Sequence, residues 1–144
     1  MSDEPRLVFV ADPAAASSTA ARHIAERLIQ AVAERGRADW ATTGGSTIVG
    51  IYRELAAPPL RDAVPWADVH VWWGDDRFVP RDHPLSNVAP FDDILVDVAD
   101  LEEGTGGPHH PGVHIPVNQV HPFRTTEAIG EAQPASWIAE RLAA

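Results

Sequence analysis

Residues 42–47 read TTGGST and join a short apolar run to an amphipathic helix pattern. The run from Ala38 to Thr43 is predicted to be a strand. After the segment, apolar residues recur at the i, i+3, i+4, i+7 spacing of one helix face: Ile48, Ile51, Tyr52 and Leu55. A Gly-Gly turn lets the backbone approach a ligand without a Cβ in the way. Ser46 or Thr47 is expected to cap the helix, whose first N–H groups point at the same place. The segment therefore predicts an anion site, with phosphate as the natural ligand.

The same segment also has a purely structural interpretation. Strand-to-helix turns use Gly, Ser and Thr simply to build a tight, capped connection. The segment is not a Walker loop, because that motif requires a lysine and the chain contains none. It also lacks the G-x-G-x-x-G spacing of a dinucleotide-binding turn.

A second segment combines a buried strand with charged residues. Residues 69–73 read VHVWW, a near-continuous apolar strand that suits a sheet covered on both faces. Asp75, Asp76 and Arg77 follow directly. In open α/β sheets, ligands bind beyond the carboxyl ends of the strands, where the turn of residues 42–47 also lies. The two segments together therefore predict one shared site.

Plainer interpretations exist here too. Residues 74–76, here called the acidic turn, are compatible with a surface loop in which Arg77 pairs with a neighbouring aspartate. Ser86 or Asn87 is compatible with the cap of the next helix, which has this apolar face: Val88, Phe91, Ile94, Leu95 and Val98.

The order of predicted elements is βαβαβα across residues 1–144, taken as a single domain. This order favours a Rossmann-like α/β fold, a doubly wound, mostly parallel sheet with helices on both faces. Leu7 to Val10 is predicted as the first strand, and Asp12 and Pro13 as the start of a helix that ends near Gly36. Residues 102–111 are predicted to be a surface loop, and the last helix is expected at 135–142.

Composition excludes several classes of protein. The net charge of −10 argues against a nucleic-acid partner, which requires basic patches. The chain has no cysteine, so disulfides and thiolate metal sites are impossible. The absence of a twenty-residue apolar run and of a signal-peptide pattern predicts a cytoplasmic protein without membrane contact.

The histidines give weaker signals. His109, His110 and His114 cluster in a Gly- and Pro-rich turn, which predicts a solvated loop in preference to a metal site. His70 lies within a strand and is interpreted as a packing residue. His83 follows Arg77 closely and is retained as a possible neighbour of the site.

With both segments in view, the chain resembles the 6-phosphogluconolactonases, which share their fold with glucosamine-6-phosphate deaminases and isomerases. The matching positions are Gly44, Gly45, Ser46, Thr47, Trp66, residues 69–71, residues 74–77, Val79, Pro80, Ser86, Asn87 and residues 113–116. The resemblance implies hydrolysis of 6-phosphogluconolactone to 6-phosphogluconate in the oxidative pentose phosphate pathway, without a metal or an organic cofactor.

The resemblance also implies roles for individual residues. The sugar phosphate would be held by these side chains and backbone groups: Gly44, Gly45, Ser46, Thr47 and Arg77. Asp75 would be the catalytic residue, orienting water or a histidine near the lactone. Asn87 would hold substrate hydroxyls or the loop itself. Asp76 departs from the family, which commonly has Glu at this position.

The likeness covers only the first part of a lactonase. The family's later Gly-x-Gly-x-Asp-Gly-His segment, which supplies the histidine that activates water, has no counterpart here. We therefore expect a truncated domain carrying the phosphate-binding half of the site, with a homodimer or a complementing C-terminal fragment as its partner. Two other interpretations stay open: a glucosamine-6-phosphate deaminase or isomerase, and a catalytically inactive sugar-phosphate-binding protein or complex subunit.

Overall fold

The computed structural model describes residues 7–96 and 112–130. The elements within them are α1 (Pro13–Arg35), β1 (Ala38–Thr42), α2 (Ser46–Leu55), α3 (Leu60–Ala63), β2 (Val69–Trp73), α4 (Ala89–Ile94), β3 (Val120–His121) and α5 (Thr125–Gly130). The predicted loop at 102–111, the predicted helix at 135–142, Val98, His109 and His110 lie outside the described residues.

The three strands form one parallel sheet in the order β1-β2-β3. The register pairs Ala38 with Val69 and Thr42 with Trp73, so β1 and β2 end at the same level. Parallel neighbours require crossover connections, and α2 lies in the one between β1 and β2. The βαβ order predicted from the sequence is therefore present, and it places the residues that follow both strands at one edge of the sheet.

Helix α1 begins and ends where its sequence signals predict. Asp12 is the N-cap and accepts a hydrogen bond from the Ala15 N–H at 2.8 Å, with Pro13 in the first turn. The helix ends at Gly36, whose φ of 72° is the left-handed conformation that favours glycine. The face of α1 turned to the core is centred on three small or aliphatic residues: Ala21, Ala25 and Leu28.

The hydrophobic core lies between helices α1, α2 and α4 and one face of the sheet. Its largest fully buried side chains are Tyr52, Phe91, Leu55, Leu95, Ile115, Val69, Val71, Val88 and Val113. Burial alternates along β1 and β2, so every second residue faces this core. Val113 and Ile115 are also buried in this core, and Val113 makes a single parallel bridge to Val96.

The opposite face of the sheet is more open among the described residues. It carries Asp39, Ala41 and Trp72, and Trp72 is 41% exposed. The prediction that both faces of β2 are covered is therefore confirmed, in the described residues, only for the face that packs against the helices.

The predicted first strand is wrong. Leu7 to Val10 forms no strand, and all four side chains are exposed, with Phe9 at 92%. The run has the composition of a strand, but a strand also needs a neighbour to pair with. In the described residues, β1 pairs only with β2, and residues 7–10 do not occupy its other edge.

Candidate functional site

Two turns meet at the carboxyl ends of β1 and β2. The Gly74 N–H donates to the Thr42 carbonyl at 3.3 Å, which extends the pairing of the two strands by one residue. The Gly44-Gly45 turn leaves β1 here, and the turn that holds Asp75 leaves β2. The structure thus places the two segments singled out from the sequence side by side.

The first turn leads straight into α2. Ser46 and Thr47 were expected to cap this helix, and that expectation is wrong. The N-cap is Gly45, whose φ of 98° lies in the region that favours glycine, and no side chain bonds to the first turn. Because the helix begins one or two residues earlier than expected, Ser46 and Thr47 belong to its first turn, and both are exposed. Their N–H groups are orphan donors of the kind that bind anions.

Thr42 and Tyr52 hold the base of this turn. The Thr42 hydroxyl and the Tyr52 hydroxyl share a buried hydrogen bond of 2.8 Å, which ties the end of β1 to the middle of α2. Burial raises the pKa of Tyr52 to about 12, because a phenolate would have to lose its water. The sequence pattern identified Tyr52 as a core residue, but its polar contact has no signal in the spacing.

The second turn presents Asp75 and Arg77 to solvent. Their side chains are 64% and 59% exposed, and the Arg77 guanidinium lies 3.7 Å from the Asp75 carboxylate. An exposed pair at this distance is weak, so both groups are available to a ligand. Asp76 is half-buried and accepts hydrogen bonds from the Arg77 N–H and the Asn87 N–H, each at 2.7 Å.

Asn87 connects the two turns. Its side-chain amide donates to the Asp75 carbonyl at 3.0 Å and to the Asp75 carboxylate at 3.3 Å. Its Oδ1 lies against Gly44, where an added Cβ would stand only 1.8 Å from that oxygen. Any side chain at position 44 would therefore have to displace the end of the Asn87 side chain.

The expectation that Ser86 or Asn87 caps the next helix needs correction. Helix α4 begins at Ala89 and its N-cap is Val88. The Ser86 hydroxyl does accept from the Val88 N–H at 3.1 Å, but it also contacts the Asp76 carboxylate at 3.3 Å. Ser86 and Asn87 are both buried, and their donors therefore need hydrogen-bond acceptors. The Asp76 carboxylate in the acidic turn accepts from each of them.

His83 lies in the loop that leads to Asn87. Its Nδ1 accepts from the Leu85 N–H at 3.1 Å, and its carbonyl accepts from the Ser86 N–H at 2.8 Å. These contacts stabilise the loop and do not join the imidazole to Asp75 or Arg77.

Arg81 is a residue that the sequence did not single out. Its guanidinium forms two hydrogen bonds of 2.7 Å to the Asp92 carboxylate on α4, and its N–H donates to Thr126 on α5. The paired carboxylate raises the pKa of Arg81. This bidentate pair fixes the far end of the loop that carries Arg77, and no local pattern predicts a partner eleven residues away.

A separate polar cluster lies on the open face of the sheet. Trp72 stacks on His121 with ring centroids 3.8 Å apart and donates to Asp39 at 3.0 Å. His121 shares a hydrogen bond of 2.9 Å with His70, and desolvation lowers the pKa of His121, helped by His70. His70 thus packs against a neighbouring ring. Within residues 7–96 and 112–130, no three His, Asp or Glu side chains are arranged to hold a metal ion.

Comparisons of the sequence and of the structure with known proteins all match one family. The family described as glucosamine-6-phosphate isomerases/6-phosphogluconolactonase matches residues 11–144. The 6-phosphogluconolactonase of Streptomyces coelicolor is 37% identical over 102 residues, which are 71% of this chain and 39% of that protein. That of Synechocystis is 36% identical over 105 residues, 73% of this chain and 36% of that protein. The solved 6-phosphogluconolactonase of Trypanosoma brucei superposes with a TM-score of 0.70 at 27% identity, over 99% of this chain and 48% of that one.

These matches confirm the predicted parallel α/β fold and the resemblance to the 6-phosphogluconolactonases. The chain spans less than half the length of these relatives. No helix in the described residues is long and apolar enough to cross a membrane. The chain belongs to the family of glucosamine-6-phosphate isomerases and 6-phosphogluconolactonases.

Proposed function

We propose that this chain carries the sugar-phosphate-binding part of a 6-phosphogluconolactonase, which hydrolyses 6-phosphogluconolactone to 6-phosphogluconate. One observation carries the proposal. Asn87 touches Gly44 in the glycine turn and hydrogen-bonds Asp75 in the acidic turn, so the backbone at the start of α2 and an exposed carboxylate border one space. The relatives named above are all 6-phosphogluconolactonases, which favours this activity over deamination of glucosamine 6-phosphate.

The phosphate would bind at the start of α2. The N–H groups of Ser46 and Thr47 are oriented along the helix axis, and the helix dipole favours an anion there. Arg77 adds a charge-assisted contact that an acidic protein cannot supply through its net charge. The exposed, weakly paired state of Arg77 leaves its guanidinium free to turn toward the phosphate.

The lactone ring would lie beside Asp75 and Asn87, which are hydrogen-bonded to each other. Hydrolysis requires an activated water and a donor for the negative charge that develops on the carbonyl oxygen. Asp75 is placed to orient a water or a histidine, and the Asn87 amide is placed to hold a ring hydroxyl. The histidine that the resemblance assigns as the base has no counterpart in these 144 residues. Loss of a general base alone lowers a rate by about 10²–10⁴.

Binding tests the phosphate part of this proposal. We expect 6-phosphogluconate and inorganic phosphate to shift the amide NMR signals of Ser46 and Thr47, whereas gluconate leaves them unchanged. Arg77→Met is expected to weaken 6-phosphogluconate binding by about tenfold, the loss of one charge-assisted hydrogen bond. Arg53→Met removes the same charge from the last turn of α2 and is the matched control. Equal effects of the two variants would show that only net charge matters.

Turnover tests the catalytic part. The purified chain is expected to hydrolyse the lactone barely faster than the background reaction. Robust turnover would mean that the base is present, and loss of it in His83→Ala would identify His83. Release of ammonia from glucosamine 6-phosphate would favour the deaminase alternative. Binding with no turnover, even when the C-terminal half of a relative is added, would favour an inactive binding protein.

A partner is the remaining part of the proposal. In the described residues β1 has one unpaired edge, and Trp72 is exposed on the open face. Exposed strand edges and apolar surface recruit other chains. We expect a homodimer or tight association with a complementing fragment, within the cytoplasm. Light scattering checks this, and a monodisperse monomer that unfolds cooperatively would contradict it.

A further inference from the structure

Adjacent aspartates at the end of β2 have different surroundings. The Asp75 side chain is 64% exposed, and its closest charged partner is Arg77 at 3.7 Å. Asp76 is half-buried, and both of its oxygens are occupied. Its Oδ1 accepts from the Arg77 N–H and the Asn87 N–H at 2.7 Å, and its Oδ2 accepts from the Ser86 hydroxyl at 3.3 Å. The two carboxylates are therefore chemically distinct.

Two of the contacts of Asp76, to Ser86 and Asn87, span ten and eleven residues of sequence. They fix the peptide that joins Ser86 to Asn87, and both of these residues are buried, at 3% and 6% exposed. The Trp73 indole N–H donates to the Asn87 carbonyl at 3.2 Å and holds the same residue from the other side. With its backbone held at both ends, Asn87 has its side chain directed at Gly44 and Asp75.

We infer that Asp76 is a positioning residue for sugar recognition: it holds Asn87 in the gap between the glycine turn and Asp75 and does not itself contact the substrate. The inference rests on the proposed function, because it takes Asn87 as the group that meets the sugar. A carboxylate that accepts three hydrogen bonds has little capacity left for a ligand. Asp76 also accepts from the Arg77 N–H, but the proposed phosphate ligand is the Arg77 guanidinium. Asp76 therefore contributes more to the affinity for the sugar acid than to the affinity for the phosphate.

The test measures the binding of 6-phosphogluconate and the binding of inorganic phosphate separately. Asp76→Ala removes all three contacts, while Asp93→Ala removes an exposed carboxylate from α4 and is the control. We expect Asp76→Ala to weaken 6-phosphogluconate binding by about tenfold, the effect of one or two misplaced hydrogen bonds. Binding of inorganic phosphate, followed at the Ser46 amide, is expected to change less than binding of 6-phosphogluconate, because the Arg77 guanidinium is kept. Asp76→Glu keeps a carboxylate and is expected to recover most of the affinity.

The Asn87 side-chain amide gives a readout that needs no ligand. Its NMR signals are expected to be dispersed and protected from exchange in the wild-type chain and in Asp93→Ala, and to lose both properties in Asp76→Ala. Unchanged Asn87 signals in Asp76→Ala would overturn the inference. An equal loss of phosphate and 6-phosphogluconate binding would overturn it as well, since that result describes general damage to the fold. If the wild-type chain binds neither ligand, the proposed function fails, and the Asn87 signals still decide whether Asp76 positions this side chain.

Discussion

Alkaline titration of one side chain, Tyr52, tests the packing that supports the candidate site. The chain contains one tyrosine, no cysteine and no lysine, so Tyr52 is the only side chain expected to ionise between the ranges of histidine and arginine. Its ring lies edge-on to both Trp40 and Phe91, and its hydroxyl shares the 2.8 Å hydrogen bond with Thr42. Burial raises the pKa of this phenol to about 12. The titration therefore reports whether the base of the glycine turn is closed to water.

The sign of the pH effect follows from the two states of the chain. The tyrosine of the unfolded chain ionises near pH 10, whereas the folded phenol stays protonated up to about 12. The stabilisation is complete below about pH 10 and is lost as the pH rises toward 12, because the unfolded chain releases its proton first. A difference of this size corresponds to roughly 2–3 kcal/mol in the free energy of unfolding.

Two measurements check this prediction. Tyrosinate absorbance gives the ionisation of Tyr52, and urea denaturation at each pH gives the free energy of unfolding. Tyr52→Phe is the control: it keeps the ring contacts, loses about 1 kcal/mol at neutral pH with the hydrogen bond, and lacks the decline between pH 10 and 12. An absorbance midpoint near 10 in a chain that is still folded would refute the reasoning, since the phenol would then be in contact with solvent.

Two substitutions test the loops on either side. Gly44→Ala is expected to lower the free energy of unfolding by about 1–3 kcal/mol, because its Cβ must displace Asn87. Gly74→Ala, which has open space around its Cβ, is expected to change it by less than about 0.5 kcal/mol. Arg81→Met is expected to cost about 1–2 kcal/mol through its bidentate partner, which is only 16% exposed. Arg124→Met breaks an exposed pair and serves as its control in the same urea denaturation series. Equal losses within either pair of variants would contradict the assigned contacts.

Local sequence patterns predicted the elements but not the contacts between them. The helix periodicity and the end signals at Asp12 and Gly36 depend on neighbouring residues, and the structure confirms them. The cap of α2 was predicted at Ser46 or Thr47, one or two residues late, because glycine, serine and threonine are all acceptable at a helix start. The run at residues 7–10 was misassigned because strand formation depends on a partner that composition does not reveal.

For the candidate site too, the sequence predicted the local elements but not the contacts between distant residues. The sequence predicted that Asp75 and Arg77 lie beside the glycine turn, since the carboxyl ends of parallel strands meet at one edge. The residue pattern by itself did not separate the role of Asp75, which only the resemblance made catalytic, from that of Asp76, because the difference arises from partners ten and eleven residues away. The pairing of Arg81 was missed for the same reason, since its partners lie on α4 and α5.

The placement of charge at the site sets the orientation of the proposed substrate. Asp75 carries an exposed carboxylate that repels a phosphate, and Arg77, its nearest cation, lies at 3.7 Å and only partly offsets it. The start of α2 presents N–H groups and no acidic residue in its first turn. In the proposed complex we therefore expect the phosphate on the α2 side and the neutral lactone ring on the Asp75 side, with Asn87 between them. This order places the uncharged, reactive end of the molecule next to the carboxylate, where an oriented water can reach the carbonyl carbon without phosphate repulsion.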